Sequence, residues 1–475
     1  MIGMTFVRGL LVLSLLFAGA AHADPRADSV DALMKRQMDA RHIPGLQVAV
    51  IKDGKVVLSR AYGVANLQTP VPVTTETVFS INSITKAFTG VAAMREVEAG
   101  RMDLAKPVST YVADLPEAWR GVTLRQLLSH MSGLPDFTRT KLPPEDEAGA
   151  WKAALAMPIR FAPGDRFDYD QTNYALVQKA INGLNGRPPA ATLAGDQIAL
   201  AGMTHTSFGD GRDVTPGKAA GYRFTFADPA AAGEMKSVYE IFTPLHRAAS
   251  GMNSTAQDMA QWLIALQEGK LLGEEARRVM WTRSVFNNGQ PGQWGIGWVV
   301  YDRPGRRAVG MTGGSRAAMI LYPDDGVGVV ILTNLSGSAP EDFIDEVGAL
   351  YVPGMKLQGV AALRARLEAE GFDRLPTVLA DLRRQDPAFR LDEHELNDWA
   401  YRVMSFGRPR DALPLFRLNA ELHPTSGNVF DSLGEAYKIN GDREQAVANY
   451  RRSLALDPAN DNARRQLERL GATAG

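Results

Sequence analysis

Apolar residues fall in short blocks near both ends of the first 350 positions and in helical spacing between them. Leu46-Gln47-Val48-Ala49-Val50-Ile51 precedes Lys52-Asp53-Gly54-Lys55, and Val56-Val57-Leu58 follows. Two apolar runs around Asp-Gly predict a β-hairpin, because glycine accepts the positive φ of a tight turn. The pattern returns in Met319-Ile320-Leu321-Tyr322, then Asp324-Asp325-Gly326, then Val327-Gly328-Val329-Val330-Ile331-Leu332. Between them lie helical patterns such as Ala87 to Glu98, which stops at Gly100. Strands at both ends with helices between predict an α+β fold whose antiparallel sheet is built by both ends.

The last stretch changes character: rich in Ala, Leu, Arg and Glu, it repeats at an offset of 34. Gly407 matches Gly441, Ala412 matches Ala446, Phe416 matches Tyr450, Leu422 matches Leu456 and Pro424 matches Pro458. Leu433-Gly434 with Tyr437, then Ala446, Tyr450 and Asp457-Pro458, resembles a tetratricopeptide repeat. The earlier copy, with Trp399, is weaker. The predicted layout is a main domain over 24–355, a helical connector over 356–390 and an all-α repeat tail over 391–475. Since roughly three repeats are needed to stand alone, two should lean on the main domain, and they offer a surface for a protein partner.

At the N-terminus, Arg8 precedes the apolar run Gly9 to Ala18, which ends in Ala21-His22-Ala23. The run is shorter than the ~20 residues of a spanning helix and is followed by an A-x-A signal. Residues 1–23 therefore read as a cleaved signal peptide. The expected location is periplasmic or secreted, with no transmembrane span after cleavage.

Composition narrows the chemistry. The chain has no cysteine, which excludes disulfides, thiolate catalysis and cysteine metal sites. A formal net charge of −1 is not the basic footprint of a nucleic-acid binder. His42, His130, His205 and His246 are scattered without paired metal-ligand spacing, so no metal and no cofactor is expected. No G-x-S-x-G pentad is present; Gly313-Gly314-Ser315-Arg316-Ala317 lacks the last glycine.

One arrangement remains. Ser83 and Lys86 stand three apart at the head of a predicted helix. That spacing puts an amine beside a hydroxyl on one helix face. A helix start also aims free N–H groups and positive dipole at the hydroxyl. The same surroundings can lower the pKa of the lysine enough for it to accept a proton. Spacing alone leaves a nucleophile and a plain helix N-cap equally open.

Around this pair the chain resembles the serine hydrolase family of class C β-lactamases, DD-peptidases and esterases, over about residues 29–340. The pieces are Phe79-x-x-x-Ser83-x-x-Lys86, Thr123 to Leu134 with Leu127-Leu128-Ser129-His130-Met131-Ser132-Gly133-Leu134, Pro163-Gly164, and Phe167-x-Tyr169-x-Gln171-x-x-Tyr174. Gly251-Met252-x-Ser254-Thr255-Ala256-x-Asp258-Met259 and Met311-Thr312-Gly313-Gly314 follow.

The resemblance implies a β-lactamase/transpeptidase-like fold, with a mostly helical subdomain beside the sheet. It implies an acyl-enzyme hydrolase with Ser83 as nucleophile and Lys86 and Tyr169 as proton carriers. Which of the two is the base stays open. The N–H groups of Ser83 and of Gly314, on an edge strand, would form the oxyanion hole. Gln171, Met311, Thr312, Gly313 and Tyr222 would border the substrate, which is a small molecule or a peptide. His130 reads as a scaffold residue, and Asp258 as one that orients or caps the following helix.

Two departures bear on substrate. Gln171 stands where the family has Asn, and Met311 where it has Lys or His. Methionine cannot pair with a substrate carboxylate, so an ester or peptide is expected ahead of efficient β-lactam hydrolysis. Arg316 is the candidate replacement charge. The alternative to an enzyme is a non-catalytic binding or scaffold protein on the same fold.

Overall fold

The computed structural model describes residues 24–186, 191–226, 233–303 and 305–473. The expected signal peptide, 1–23, lies outside the described residues. Asp53 and Gly54 both take positive φ, 49° and 72°. Such a turn matches the twist of its flanking strands, here Gly45–Lys52 and Lys55–Asn66. The second hairpin joins Ala317–Tyr322 to Val327–Thr333, with Gly326 at φ 63°. Its last strand pairs antiparallel with Gly45–Lys52, setting Val48 opposite Ile331. Across the sheet the order is Val71–Pro72, Lys55–Asn66, Gly45–Lys52, Val327–Thr333, Ala317–Tyr322, Arg306–Gly313 and Val299–Arg303. Every neighbouring pair is antiparallel. The fold is thus α+β, as its sequence predicts.

Alternate residues of the central strands feed two cores. Ala49, Ile51, Val330 and Leu332 face Met259 and Trp262 of the helix Ala256–Gln267. Val48, Val50, Val329 and Ile331 face Val30, Met34 and Val347, from the helices Pro25–Arg41 and Ile344–Tyr351. The first core extends into a helical region that includes Thr85–Glu98 and Gln171–Asn185. The active-site candidates collect where this helical region meets the free end of Arg306–Gly313.

Among the described residues after 356, every regular element is a helix. The helices Glu393–Ser405 and Pro409–Leu422 recur as Gly427–Ile439 and Arg443–Leu456, each boundary 34 residues on. Gly407 and Gly441 occupy the two inter-helix turns at φ 78° and 85°. Gly434 is needed for close packing, because a Cβ there would sit 2.9 Å from the Tyr450 ring. One apolar core runs from Val360 to Leu467, so the helices Gly359–Glu370 and Leu375–Gln385 pack with the repeat pair.

A buried ionic cluster seats this tail on the main domain. Asp342 meets Arg41 at 3.0 Å, Arg364 at 3.5 Å and Arg402. Arg41 also meets Glu368 at 3.1 Å. The three guanidinium groups hold the Asp342 carboxyl below its ordinary pKa against the opposing cost of burial. No helix among the described residues is long and apolar enough to cross a membrane.

Candidate active site

Ser83 lies in a tight turn, Asn82–Ile84, that runs straight into the helix Thr85–Glu98. Asn82 carries φ 44°, a conformation asparagine tolerates better than most residues. It is pinned there: Thr85 Oγ1 donates to its carbonyl at 2.6 Å, and its own Nδ2 donates to Glu240 at 2.9 Å. The turn presents Ser83, half-exposed, above Lys86, which is fully buried.

Three side chains converge. Lys86 Nζ lies 3.4 Å from Ser83 Oγ, and the Tyr169 hydroxyl donates to the same Oγ at 2.8 Å. Lys86 Nζ also donates to Gln171 Oε1 at 2.9 Å and to the Ala249 carbonyl at 3.0 Å. Lys86 Nζ sits 4.6 Å from the centre of the Tyr169 ring. Gln171 thus reaches Lys86 with the longer arm it has in place of asparagine.

Burial dominates the electrostatics. It lowers the Lys86 pKa to about 7, while the carboxylates of Asp136 and Asp170 pull the other way. It raises the Tyr169 pKa to about 12, although hydrogen bonds with Ser83 and Gln171 oppose that shift. Around neutral pH a substantial share of the amine is therefore unprotonated and able to accept a proton, and the phenol keeps its own. Asp170 caps the helix Gln171–Asn185 and is paired with Arg160 at 2.9 Å, yet burial and Asp136 push its carboxyl up to about 7.

His130 is buried and its ring stacks on Tyr169 with centroids 4.4 Å apart. Its Nδ1 accepts from the Asp170 N–H at 3.1 Å. Burial and the nearby lysine hold its pKa well below the ordinary value, so the ring is neutral. The imidazole supports the phenol from behind and does not touch Ser83 Oγ by any described contact.

The strand Arg306–Gly313 ends on the turn that carries Ser83. A Cβ at Gly313 would lie 2.0 Å from the Ile81 carbonyl and 3.1 Å from the Ser83 nitrogen, so only glycine fits. Gly314 follows against Asn82, which brings its backbone beside Ser83. The sequence reading put Gly314 on an edge strand, and two details correct this. The strand is second from the edge, and Gly314 lies in the turn after it at φ 56°. Its neighbour pairs only as far as Gly310, so Met311 to Gly313 still offer an unpaired backbone edge.

Two expected substrate contacts are corrected. Tyr222 is 2% exposed; it belongs to the far core and its hydroxyl accepts from the Leu67 N–H at 2.8 Å. Met311 is 1% exposed and opposite Met319, because strand alternation turns it into the core, whereas Thr312 is half-buried. Arg316 supplies no free charge: it is buried against Glu240 at 3.1 Å and Ser336. Asp258 does not cap its helix either. Thr255 does, and Asp258 holds the His205 N–H and the Thr206 hydroxyl. Sequence reading missed Asp136, Asp170, Glu240 and the Ala249 carbonyl. For Asp170, the Asp-x-x-Asn step at a helix start was the available signal.

The beta-lactamase family model matches residues 30–352. Protein flp of Staphylococcus aureus (strain MRSA252) is 23% identical over 354 residues, covering 70% of this chain and 68% of that protein. Penicillin-binding protein 4 of Amycolatopsis lactamdurans is 28% identical over 333 residues, covering 64% and 84%. Among solved structures, the octameric penicillin-binding protein homologue from Pyrococcus abyssi superposes with TM-score 0.57 at 27% identity, covering 68% of this chain and 76% of that one. The penicillin-binding protein from Bacillus halodurans gives TM-score 0.55 at 23% identity, covering 67% and 100%. From Val30 to Val352 the chain belongs to the beta-lactamase family, whose fold usually carries serine hydrolase activity.

Proposed function

We propose that the protein is an exported serine hydrolase that works through an acyl-enzyme on an ester or amide. The observation that carries this reading is the convergence of Tyr169 and Lys86 on Ser83 Oγ, at 2.8 Å and 3.4 Å. Ser83 Oγ attacks the substrate carbonyl and gives its proton to neutral Lys86. The oxyanion of the tetrahedral intermediate is held by the N–H groups of Ser83 and Gly314. Collapse breaks the bond to the leaving group, which takes a proton through Tyr169. Water then attacks the acyl-enzyme, with the same two groups carrying its proton away, and the acid leaves as Ser83 recovers its hydroxyl.

We read Lys86 as the base and Tyr169 as the relay, a reading supported by an amine near 7 and a phenol near 12. The buried Met311 leaves no cation for a substrate carboxylate at that position, so esters and small peptides rank above β-lactams. The leader at 1–23, with its apolar run at 9–18 and Ala21-His22-Ala23, supports export, and the helical repeats offer a candidate surface for a protein partner.

A fluorophosphonate probe followed by peptide mapping tests the reading: the adduct is expected on Ser83. No adduct on Ser83 with this or a β-lactam probe sinks it and leaves a binding protein on the same fold. The pH profile is a second test. With Lys86 as base, kcat/KM should rise with pH through about 7, the value at which the buried amine loses its proton. Asp136→Asn removes a charge that favours the ammonium, so the acid limb should move to lower pH.

A further inference from the structure

A cavity of about 430 Å³ opens at the Gly314–Ser315 turn, and its walls come from both halves of the chain. The main domain supplies Arg223, Phe224 and Glu240; the tail supplies Ser405 and Phe406. The volume suits part of a small ligand. Ser83, Lys86 and Tyr169 do not line it; it shares Gly314 with the candidate site.

The tail's share of the wall is fixed in place. Phe406 is buried, and its carbonyl is bonded to His42 Nε2 at 3.0 Å. The Arg41 guanidinium lies 5.1 Å from its ring centre, and His42 stacks on Phe224 at 4.1 Å. One histidine therefore braces an aromatic wall from each half. The turn is tied to the same seat: the Ser315 carbonyl accepts from the Gly337 and Ala339 N–H groups at 3.1 Å and 3.0 Å. Asp342, which grips Arg402 of the tail, is three residues further on.

We propose that the helical tail completes the acyl-side subsite, and that this subsite takes an acyl chain ending in a carboxylate held by Arg223. The proposal rests on the acyl-enzyme reading above. Gly314, read above as an oxyanion donor, lines the cavity, so a chain that runs from the acyl carbonyl past this turn enters it, whereas the leaving group must stay with Lys86 and Tyr169. Glu240 does not repel an anion there on balance, because Asn82 and Arg316 occupy its two oxygens at 2.9 Å and 3.1 Å. Arg223 is exposed at the cavity and supplies the cation that Met311 does not. A guanidinium binds a carboxylate by two parallel hydrogen bonds, which makes it selective for that end group.

The test uses the full chain with mono-p-nitrophenyl glutarate, p-nitrophenyl butyrate and p-nitrophenyl acetate. Arg223→Gln should cut the glutarate-over-butyrate ratio in kcat/KM at least about tenfold, the scale of a lost charge-assisted contact. Ser405→Trp, an exposed position whose larger side chain enters the cavity, should cut the butyrate-over-acetate ratio by about as much. Equal losses on all three esters, or unchanged ratios, overturn the proposal. A binding arm separates it from the hydrolase reading. Glutaranilic acid is titrated calorimetrically into the Ser83→Ala chain with and without each substitution. Weaker binding with Arg223→Gln and Ser405→Trp supports the subsite even if no ester is turned over. Undetectable or unaltered binding overturns it, whatever Ser83 labelling shows.

Discussion

Replacing Ser83 by alanine is expected to lower kcat on p-nitrophenyl acetate by on the order of 10⁴-fold or more, and Lys86→Ala by nearly as much. The two losses should not add. The serine is a weak nucleophile without a base, and the amine has nothing to activate without the hydroxyl, so each deletion removes the same step. The double variant should sit close to the worse single one. Circular dichroism and thermal unfolding would be recorded in parallel, because Lys86 is enclosed and its amine holds Gln171 and the Ala249 carbonyl. A Lys86→Ala protein that folds and keeps more than about a tenth of the activity would remove the lysine from the role of base.

Tyr169→Phe is expected to cost about 10²–10³-fold on an amide substrate and distinctly less on a p-nitrophenyl ester. The ring stays, so the stacking on His130 and the contact with Lys86 stay with it. Only the hydroxyl at 2.8 Å from Ser83 is removed. An amine must be protonated to leave, whereas nitrophenolate departs as an anion. A relay to the leaving group therefore shows itself as a larger loss on the amide. Comparing kcat/KM for an anilide and a p-nitrophenyl ester of the same acid gives the answer; equal losses would make the phenol a base for attack.

Much of this was legible in the chain. The Asp53-Gly54 and Asp324-Asp325-Gly326 turns mark two hairpins because tight turns admit few residues. The i, i+3 spacing of Ser83 and Lys86 fixes their neighbourhood once the helix forms. Other features depend on three dimensions. Tyr222 and Met311 are polar-capable or flexible side chains on strands, and one step of strand phase decides between pocket and core. Arg316 looked like a spare cation until Glu240, 76 positions earlier, reached it. The Ala249 carbonyl that fixes Lys86 is a backbone atom, which no residue type announces. Nor does the 34-residue repeat say where the tail sits; Arg402 meets Asp342 only after both units fold.

The pairing of Gly45–Lys52 with Val327–Thr333 has a kinetic meaning. The middle of the sheet cannot close until the ribosome has made residue 333, and every loop between must be gathered first. Such distant contacts slow the acquisition of structure and leave apolar strands uncovered for longer. A polypeptide that stays loose while it is being made is one that can be threaded through a narrow channel before it folds.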